Sequence, residues 1–500
     1  MPTMRMRLAA AALLPILALV AAGCGGSSKS KGSASGSAAG ATVMPASAVA
    51  YVSIDSDLGS DQWKKVDALS KKFPGRAKAL ADFQKELAKE NIDFQKDVEP
   101  ALGPEIDLAW LDFADGGQNV VAVTQPKDDA KLAALVKKNN SDPSNQKLYT
   151  EKVGDWTALS GSQARLDRLK SAQNGAKLAD DKTFKDAVAD LPGEALVKVY
   201  VNGASIRQAV QQGVAPTVRQ SGLLGKAIPN VGWLSASASA ASNGAGFQAG
   251  VESAKAIGKS FKSKLVDRLP AGALADLSFN DLASNVREAL SSFESSGSFQ
   301  AQKGQLEQAL GISEDDLLQL LSNEGAIAVY PSSGAERYPS VELLLKVTDE
   351  AKARRLLDRL SALAPMTGAT VKPVTIGGVA AHELVLNVGF SVYYGVFDGI
   401  LGVSNSKSAL GGLGSGGKKL GSDPVFTAAR SAAKAPDSTT GFAYVNLHSL
   451  FAEVFKDLGA SVAGPDTADL RSNLAPLQSF FAYGARNGDV THFSGFLVIK

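Results

Sequence analysis

The stretch KLADDKTF at residues 177–184 is repeated as KLGSDPVF at residues 419–426. Each copy leads through a short helical pattern to a second match, VYVN at 199–202 and AYVN at 443–446. Phe184 and Phe426 are 242 residues apart, and Tyr200 and Tyr444 are 244 apart. Self-similarity at a long, nearly constant spacing indicates an internal duplication.

Predicted hairpins extend the repeat. Turns are expected at Gly154-Asp155 and Asp398-Gly399, because Gly, Asp and Asn tolerate positive φ. A third pair is expected at Asn243-Gly244 and Asn487-Gly488, again 244 residues apart. These matches in register predict that the same strand pairs occur in both copies.

Upstream, the spacing between the copies is shorter. AYVSID at 50–55 matches ADLSFN at 275–280 with a spacing of 225, and an extra hairpin near Val371 to Leu386 accounts for the change. Strand patterns of period two alternate with helical patterns of period 3.6. The sequence therefore predicts an α+β fold that is internally duplicated, with two similar halves of mainly antiparallel sheet and packed helices.

Composition limits the classes of partner and cofactor. The chain has 52 basic and 50 acidic residues, so it offers no electrostatic footprint for nucleic acid. Its single cysteine excludes a cysteine-based zinc cluster, and its three histidines match no ligand spacing. No cofactor, metal or catalytic residue is predicted, and the protein is not expected to be an enzyme.

The N-terminus has the pattern of an export signal. Arg5 and Arg7 precede an apolar run that ends in LVAAGC at 19–24, which resembles the bacterial lipobox. Ala21 stands where Leu is usual. An acylated Cys24 predicts lipid anchoring on the extracytoplasmic face of a cell membrane, with the membrane as a partner. An ordinary secretory signal is the alternative.

The sequence suggests five segments. They are a lipoprotein signal peptide at 1–23, a disordered tether at 24–43, a first half at 44–253, a linker at 254–273 and a second half at 274–500. The tether is rich in Gly, Ser and Ala, a composition that forms flexible chains with a reach of roughly 20–25 Å.

Three acidic or glycine-rich stretches resemble functional motifs only in part. Alternating acids from Asp55 to Asp61 lack the bidentate Glu of a calcium loop, so capping of the next helix by Ser60 or Asp61 is expected. The glycine-rich stretch 412–418 lacks the hydroxyl residue of a phosphate-binding loop and follows a helical pattern. The acids after Ser313 are typical of a capping box.

One helical stretch is a candidate ligand-binding element. Residues Ile206 to Ile228 place Val214 and Leu223 on an apolar face, with breaks at Pro216 and Gly222. Val214 and Leu223 are therefore predicted to line a groove for a lipid or another apolar ligand. A helix that packs on its own sheet has the same pattern.

Five motifs are characteristic: AVAYVSID at 48–55 with DQW at 61–63, then VGDW at 153–156, LADD at 178–181 and VYVNG at 199–203. In these motifs the chain resembles a bacterial family, domain of unknown function 3352. The resemblance implies an exported, often membrane-attached protein and no activity. We expect binding of an apolar or amphipathic ligand, with an interaction or structural role in the cell envelope as the alternative.

Overall fold

The computed structural model describes residues 38–211, 231–253, 258–291, 297–332, 338–386, 390–413, 416–458 and 465–500. The chain divides into two compact units, one of Met1–Lys255 with Ile499–Lys500 and one of Ala256–Val498. No helix within the described residues is long and apolar enough to cross a bilayer.

The first half is a twisted antiparallel sheet with helices. Its described strands are β1 (Ala50–Asp55), β2 (Glu105–Trp110), β3 (Val120–Thr124), β4 (Tyr149–Val153), β5 (Trp156–Ser160), β6 (Val197–Asn202), β7 (Val231–Ala241) and β8 (Gly244–Ser253). Its helices are α1 (Asp61–Ser70), α2 (Arg76–Lys89), α3 (Ala114–Gly117), α4 (Asp129–Ser141), α5 (Gln163–Ser171), α6 (Lys182–Val188) and α7 (Gly203–Gln211). The strand order is β4-β5-β3-β2-β1-β6-β7-β8.

The second half repeats this plan with two additional strands. Its described strands are β9 (Ala275–Asn280), β10 (Glu324–Tyr330), β11 (Ser340–Lys346), β12 (Thr370–Ile376), β13 (Val379–Val385), β14 (Ser391–Phe397), β15 (Ile400–Ser404), β16 (Gly441–Val445), β17 (Leu477–Asn487) and β18 (Val490–Ile499). Its helices are α8 (Leu282–Ser291), α9 (Gly297–Leu310), α10 (Glu314–Leu320), α11 (Glu350–Leu363), α12 (Lys407–Gly412), α13 (Pro424–Ala432), α14 (Leu447–Leu458) and α15 (Pro465–Leu474). The order β12-β13-β14-β15-β11-β10-β9-β16-β17 is antiparallel throughout.

The strand pairing confirms the duplicated α+β fold. Tyr200 pairs with Tyr51 on the central strand β1, and Tyr444 pairs with Asp276 on the matching strand β9. The predicted turns at residues 154–155 and 398–399 connect β4 to β5 and β14 to β15. The hairpin β12–β13 is the predicted addition to the second half.

The predicted position of the third hairpin is wrong by a small shift. The turn residues are Ser242 and Asn243 in the first half, and Gly488 and Asp489 in the second. Tyr200 pairs with Ser235 and Tyr444 pairs with Phe481, so the spacing between the halves is 246 here rather than 244. Because side chains alternate with period two, a two-residue shift leaves every side chain on the same face and keeps the sequence pattern.

The repeated KL dipeptide binds the segment that leads into each half. In the first half Leu178 N donates to Met44 O, and in the second Leu420 N donates to Leu269 O, both at 2.9 Å. The side chains of these four residues, Leu178, Met44, Leu420 and Leu269, are all fully buried. Residues 38–49 and 263–274, which we call the leading segments, therefore pack on equivalent parts of their halves.

The leading segments correct two of the expected boundaries. Residues 39–42, expected in the tether, form a 3-10 helix, and residues 265–267, expected in the linker, form another. Gly40 N donates to Glu105 Oε1 at 3.2 Å, and the equivalent Leu265 N donates to Glu324 Oε1 at 2.9 Å. A buried carboxylate must find donors, which fixes these segments despite their loop-like composition.

The rest of the repeated stretch forms the aromatic centre of each core. Asp181 and Asp423 cap the helices α6 and α13 by accepting backbone N–H bonds. These helices place Phe184 edge-on to Tyr200 at 5.2 Å and Phe426 edge-on to Tyr444 at 5.1 Å between ring centroids. Such contacts between buried rings add to the stabilisation that burial provides.

Candidate functional site

The residues predicted to bind lipid or ligand lie outside the described part of the chain. Cys24, Val214 and Leu223 all fall there, so their predicted roles remain predictions. Only the first part of the helical stretch that begins at Ile206 is described, as the end of α7.

The glycine-rich stretch and the acidic stretch have structural roles where they are described. Lys419 Nζ donates to the carbonyl oxygens of Gly412 and Leu413, so it caps the end of α12. Ser60 caps α1 by accepting from Trp63 N, and its hydroxyl donates to Asp55 Oδ2. The expected capping box from Ser313 to Asp316 is also confirmed.

Buried acids on the covered face of the first sheet are well supplied with donors. Tyr51 Oη donates to Asp107 Oδ1 at 2.6 Å, and Gly40 N donates to both Glu105 and Asp107. Burial and the neighbouring Glu105 carboxylate raise the pKa of Asp107 well above its usual range. These bonds attach the leading segment to β2, so this cluster is structural.

Two buried acids of the second sheet, unlike Glu324, have few or no donors among the described residues. Asp276 on β9 and Glu342 on β11 both pair with Ala328 on β10, one from each side. Glu342 is 0% exposed and Asp276 is 2% exposed. Within the described residues, both Glu342 carboxylate oxygens and Asp276 Oδ1 have no hydrogen-bond partner, while Asp276 Oδ2 accepts from Ser278. We call Asp276, Ala328 and Glu342 the buried row.

The electrostatic environment of the buried row favours protonated carboxyl groups. Burial raises the pKa of Asp276 to about 7, against the opposing effect of the Ser278 hydroxyl. Burial likewise raises the pKa of Glu342 to about 7, and the Lys419 charge opposes the rise. Both groups therefore change charge near neutral pH, which is unusual for Asp and Glu. Perturbed pairs of this kind mark candidate functional sites.

Sequence patterns did not reveal the buried row. In ADLSFN the alternation suggests that Leu277 and Phe279 point inward and that Asp276 points to solvent. The structure instead covers both faces at the Phe279 end of the strand, with Phe279 packed against Leu345 and helix α11 residues. The available signal was the repeat itself, because Asp276 stands where the first half has Tyr51.

The opposite face of the same three strands is exposed and apolar. Leu277 on β9 is 48% exposed, Ile327 on β10 is 37% exposed, and Val341 on β11 is 45% exposed. Ile327 lies directly opposite Leu277 in the strand register, and Val341 lies diagonally across from it. We call these three residues the apolar strip.

The apolar strip continues a covered hydrophobic face. Leu343, which pairs with Ile327, and Val403, which pairs with Leu343, are partly buried against the cluster that helix α11 covers. The strip therefore extends from the edge of this cluster into solvent. The equivalent residues of the first half, Val52, Leu108 and Val120, are only partly exposed.

No group of three or more His, Cys, Asp or Glu side chains is arranged to hold a metal ion within the described ranges. The candidate functional features are therefore one apolar surface and one buried pair of titratable groups, on opposite faces of β9, β10 and β11.

The fold and these sites define an internally duplicated α+β protein with an exposed apolar surface. The family described as protein of unknown function (DUF3352) matches residues 8–152 and 134–463, and the chain belongs to this family. The expected family resemblance is thus confirmed. The two overlapping matches are consistent with the duplicated fold. No curated protein matches the chain.

Solved structures offer only a distant likeness. Crystal form III of TP0453 is 10% identical, covers 43% of this chain and 80% of its own, and has a TM-score of 0.23. Crystal form I of TP0453 is 9% identical, covers 43% and 79%, and has the same TM-score of 0.23. Likeness at this level carries no argument about fold or function.

Proposed function

We propose that this protein is an extracytoplasmic, lipid-anchored protein that binds the acyl chain of an amphipathic ligand on the apolar strip, without a chemical step. The observation that supports the proposal is the exposure of Leu277, Ile327 and Val341 on three adjacent strands. Clustered exposure of this kind on an ordered surface is typical of a binding site.

The geometry suits a narrow apolar chain. Neighbouring strands lie about 4.8 Å apart, so the strip extends about 10 Å across three strands. Covering three half-exposed aliphatic side chains contributes about 1 kcal/mol each, or about 3 kcal/mol together. A ligand that also contacts Leu343 and Val403 at the edge of the covered cluster would gain further from the same effect.

The N-terminal segment supports a membrane lipid as the source of the acyl chain. The proposed lipid on Cys24 is 14 residues before Ala38, the first residue of the packed leading segment. A flexible chain of this length has a root-mean-square reach of roughly 20 Å. An anchored protein would therefore meet membrane lipids at a far higher concentration than other apolar ligands.

Binding of a fluorescent fatty acid to the full chain with Cys24→Ser tests the proposal. We expect Leu277→Lys to weaken binding about tenfold, because it places a charge in the strip. Leu360→Lys is the matched control, since Leu360 on α11 is also exposed, at 39%, but lies outside the strip.

Four outcomes would contradict this proposal. Equal binding by the Leu277→Lys and Leu360→Lys variants would show that the ligand does not bind at the strip. The absence of saturable binding would show the same. Loss of binding in Val214→Trp or Leu223→Trp, with Leu277→Lys unaffected, would place the ligand at the stretch that begins at Ile206. Covalent capture of an envelope protein through the strip, without fatty-acid binding, would favour a protein partner.

A further inference from the structure

The buried row and the apolar strip belong to the same strands and alternate along them. Asp276 precedes Leu277, Ile327 precedes Ala328, and Val341 precedes Glu342. In each pair the polar or small residue faces the covered side and the large aliphatic residue faces solvent. This is the reverse of the usual pattern for a sheet with one covered face.

Several titratable groups face the buried row from the elements around it. They are Glu324 and Tyr330 on β10, Tyr444 on β16 and Lys419 before the 3-10 helix that leads to α13. Arg268 on the leading segment acts on Lys419. Tyr330 Oη donates to Pro270 O, and the charges of Glu342 and Asp276 reinforce the effect of burial in raising the pKa of Tyr330.

The two nearby cations do not pair with the row. Lys419 Nζ donates to the carbonyls at the end of α12, and Arg268 Nη1 donates to Asp398 Oδ2 at 2.8 Å. Burial and the Arg268 charge also lower the pKa of Lys419. A charged carboxylate at Glu342 would therefore be buried without a bonded counter-charge, which is strongly unfavourable.

We propose that Asp276 and Glu342 form a proton-operated switch: the second sheet is tightly packed when both carboxyl groups are protonated, and their ionisation loosens β9, β10 and β11. The proposal rests on the burial, the shared register and the missing partners of the two side chains. It does not depend on the ligand of the apolar strip, although the strands that loosen are those that carry it.

The direction of the pH dependence follows from the sign of the shifts. Both groups have folded-state pKa values near 7, above the values near 4 expected in an unfolded chain. The folded state then binds more protons than the unfolded state over this interval. The stability that these two groups contribute is fully present below about pH 4, falls as the pH rises from about 4 to about 7, and levels off above that.

Hydrogen exchange of the wild-type full chain at about pH 6 and about pH 8, corrected for intrinsic exchange rates, tests the proposal. We expect protection of β9, β10 and β11 to fall roughly tenfold for each carboxyl group, hence about a hundredfold. The hairpin β7–β8 of the first half is the internal control and should change little.

Variants separate the switch from a general effect of pH. The double variant Asp276→Asn, Glu342→Gln should lose the response, and Glu342→Gln alone should keep roughly a tenfold change. Asp358→Asn, which alters an exposed acid on α11, should respond as the wild type does. If the double variant does not fold, the comparison of wild-type exchange at the two pH values still tests the switch.

Three results would overturn the switch. The first is equal wild-type protection of β9–β11 at both pH values. The second is an undiminished response in the double variant. The third is recovery of full protection at about pH 8 on adding millimolar Ca²⁺ or Mg²⁺, which would make the row a cation site instead.

Discussion

Asp276 and Glu342 lie on either side of Ala328 and point to the same covered face of the second sheet. The same positions in the first half hold Tyr51 and Val121, on either side of Ala109. There the tyrosine hydroxyl donates to Asp107, which gives that buried acid a partner. The two halves therefore share a backbone plan but differ in the side chains that occupy this row.

Glu342→Val, which installs the first-half residue, should stabilise the second half at about pH 8. A folded-state pKa of about 7 against a usual value of 4.5 means that ionised Glu342 destabilises the fold by about 3 kcal/mol, which the substitution relieves. The smaller valine side chain costs about 1 kcal/mol in lost packing. We expect a net gain of about 2 kcal/mol, measured by urea unfolding monitored through exchange in β10 and β11.

The reciprocal change Val121→Glu supplies the control. Val121 is fully buried, so a carboxylate there should destabilise the first half by at least about 3 kcal/mol at the same pH. A Glu342→Val variant that is less stable than the wild type at about pH 8 would show that Glu342 has a partner in solution.

Much of the fold was predictable because the repeat joins residues that contact one another. The Leu of the KL dipeptide, the capping Asp, the Phe and the following Tyr form one connected set in each half, so their spacing is kept. The third hairpin was misplaced because its spacing from Tyr200 or Tyr444 depends on a connection between strands whose length differs between the halves by two residues.

The candidate sites were less accessible to sequence reasoning. Whether Asp276 faces solvent depends on which face of β9 the helices cover, and alternation alone does not decide that. The same holds for the leading segments, where a buried Glu on a distant strand fixes residues of loop-like composition. Such long-range partners leave no local pattern.

Phe184→Ala and Phe426→Ala should each destabilise their own half by about 3–5 kcal/mol, because each removes a buried ring from an aromatic centre. Val425→Ala is the matched control, since Val425 precedes Phe426 but is 40% exposed, and should cost less than about 0.5 kcal/mol. Local exchange rates in α6 and α13 provide the measurement. If Phe426→Ala affected the two halves equally, the halves would not be independent packing units.

Glu324→Ala should release the second leading segment. Glu324 Oε1 accepts from Ser263 Oγ, Lys264 N and Leu265 N at 2.6, 2.8 and 2.9 Å. Removing it leaves the buried Leu265 N–H unpaired, at a cost of about 1–3 kcal/mol.

Limited trypsin digestion measures the release, since Lys264 offers a cleavage site within the segment. We expect faster cleavage in Glu324→Ala and a smaller effect in Glu324→Gln, which keeps an oxygen acceptor. Equal cleavage in Glu324→Ala and the wild type would mean that apolar contacts such as that of Leu269 hold the segment without the carboxylate.

Cys24→Ser should move the protein from the membrane fraction to the soluble or secreted fraction of a bacterial host that processes lipoproteins. A serine cannot form the thioether to diacylglycerol, and a chain without acyl groups loses the apolar burial that holds it in a bilayer. Ser27→Ala, a change close to Cys24 in the predicted tether, is the control and should leave the protein in the membrane fraction. The mass of the mature N-terminal peptide gives an independent measurement, since acylation adds the mass of its fatty acids. Equal membrane partitioning of Cys24→Ser and wild type would show that Cys24 does not anchor the protein. Membrane lipids would then no longer be favoured as the ligand of the apolar strip.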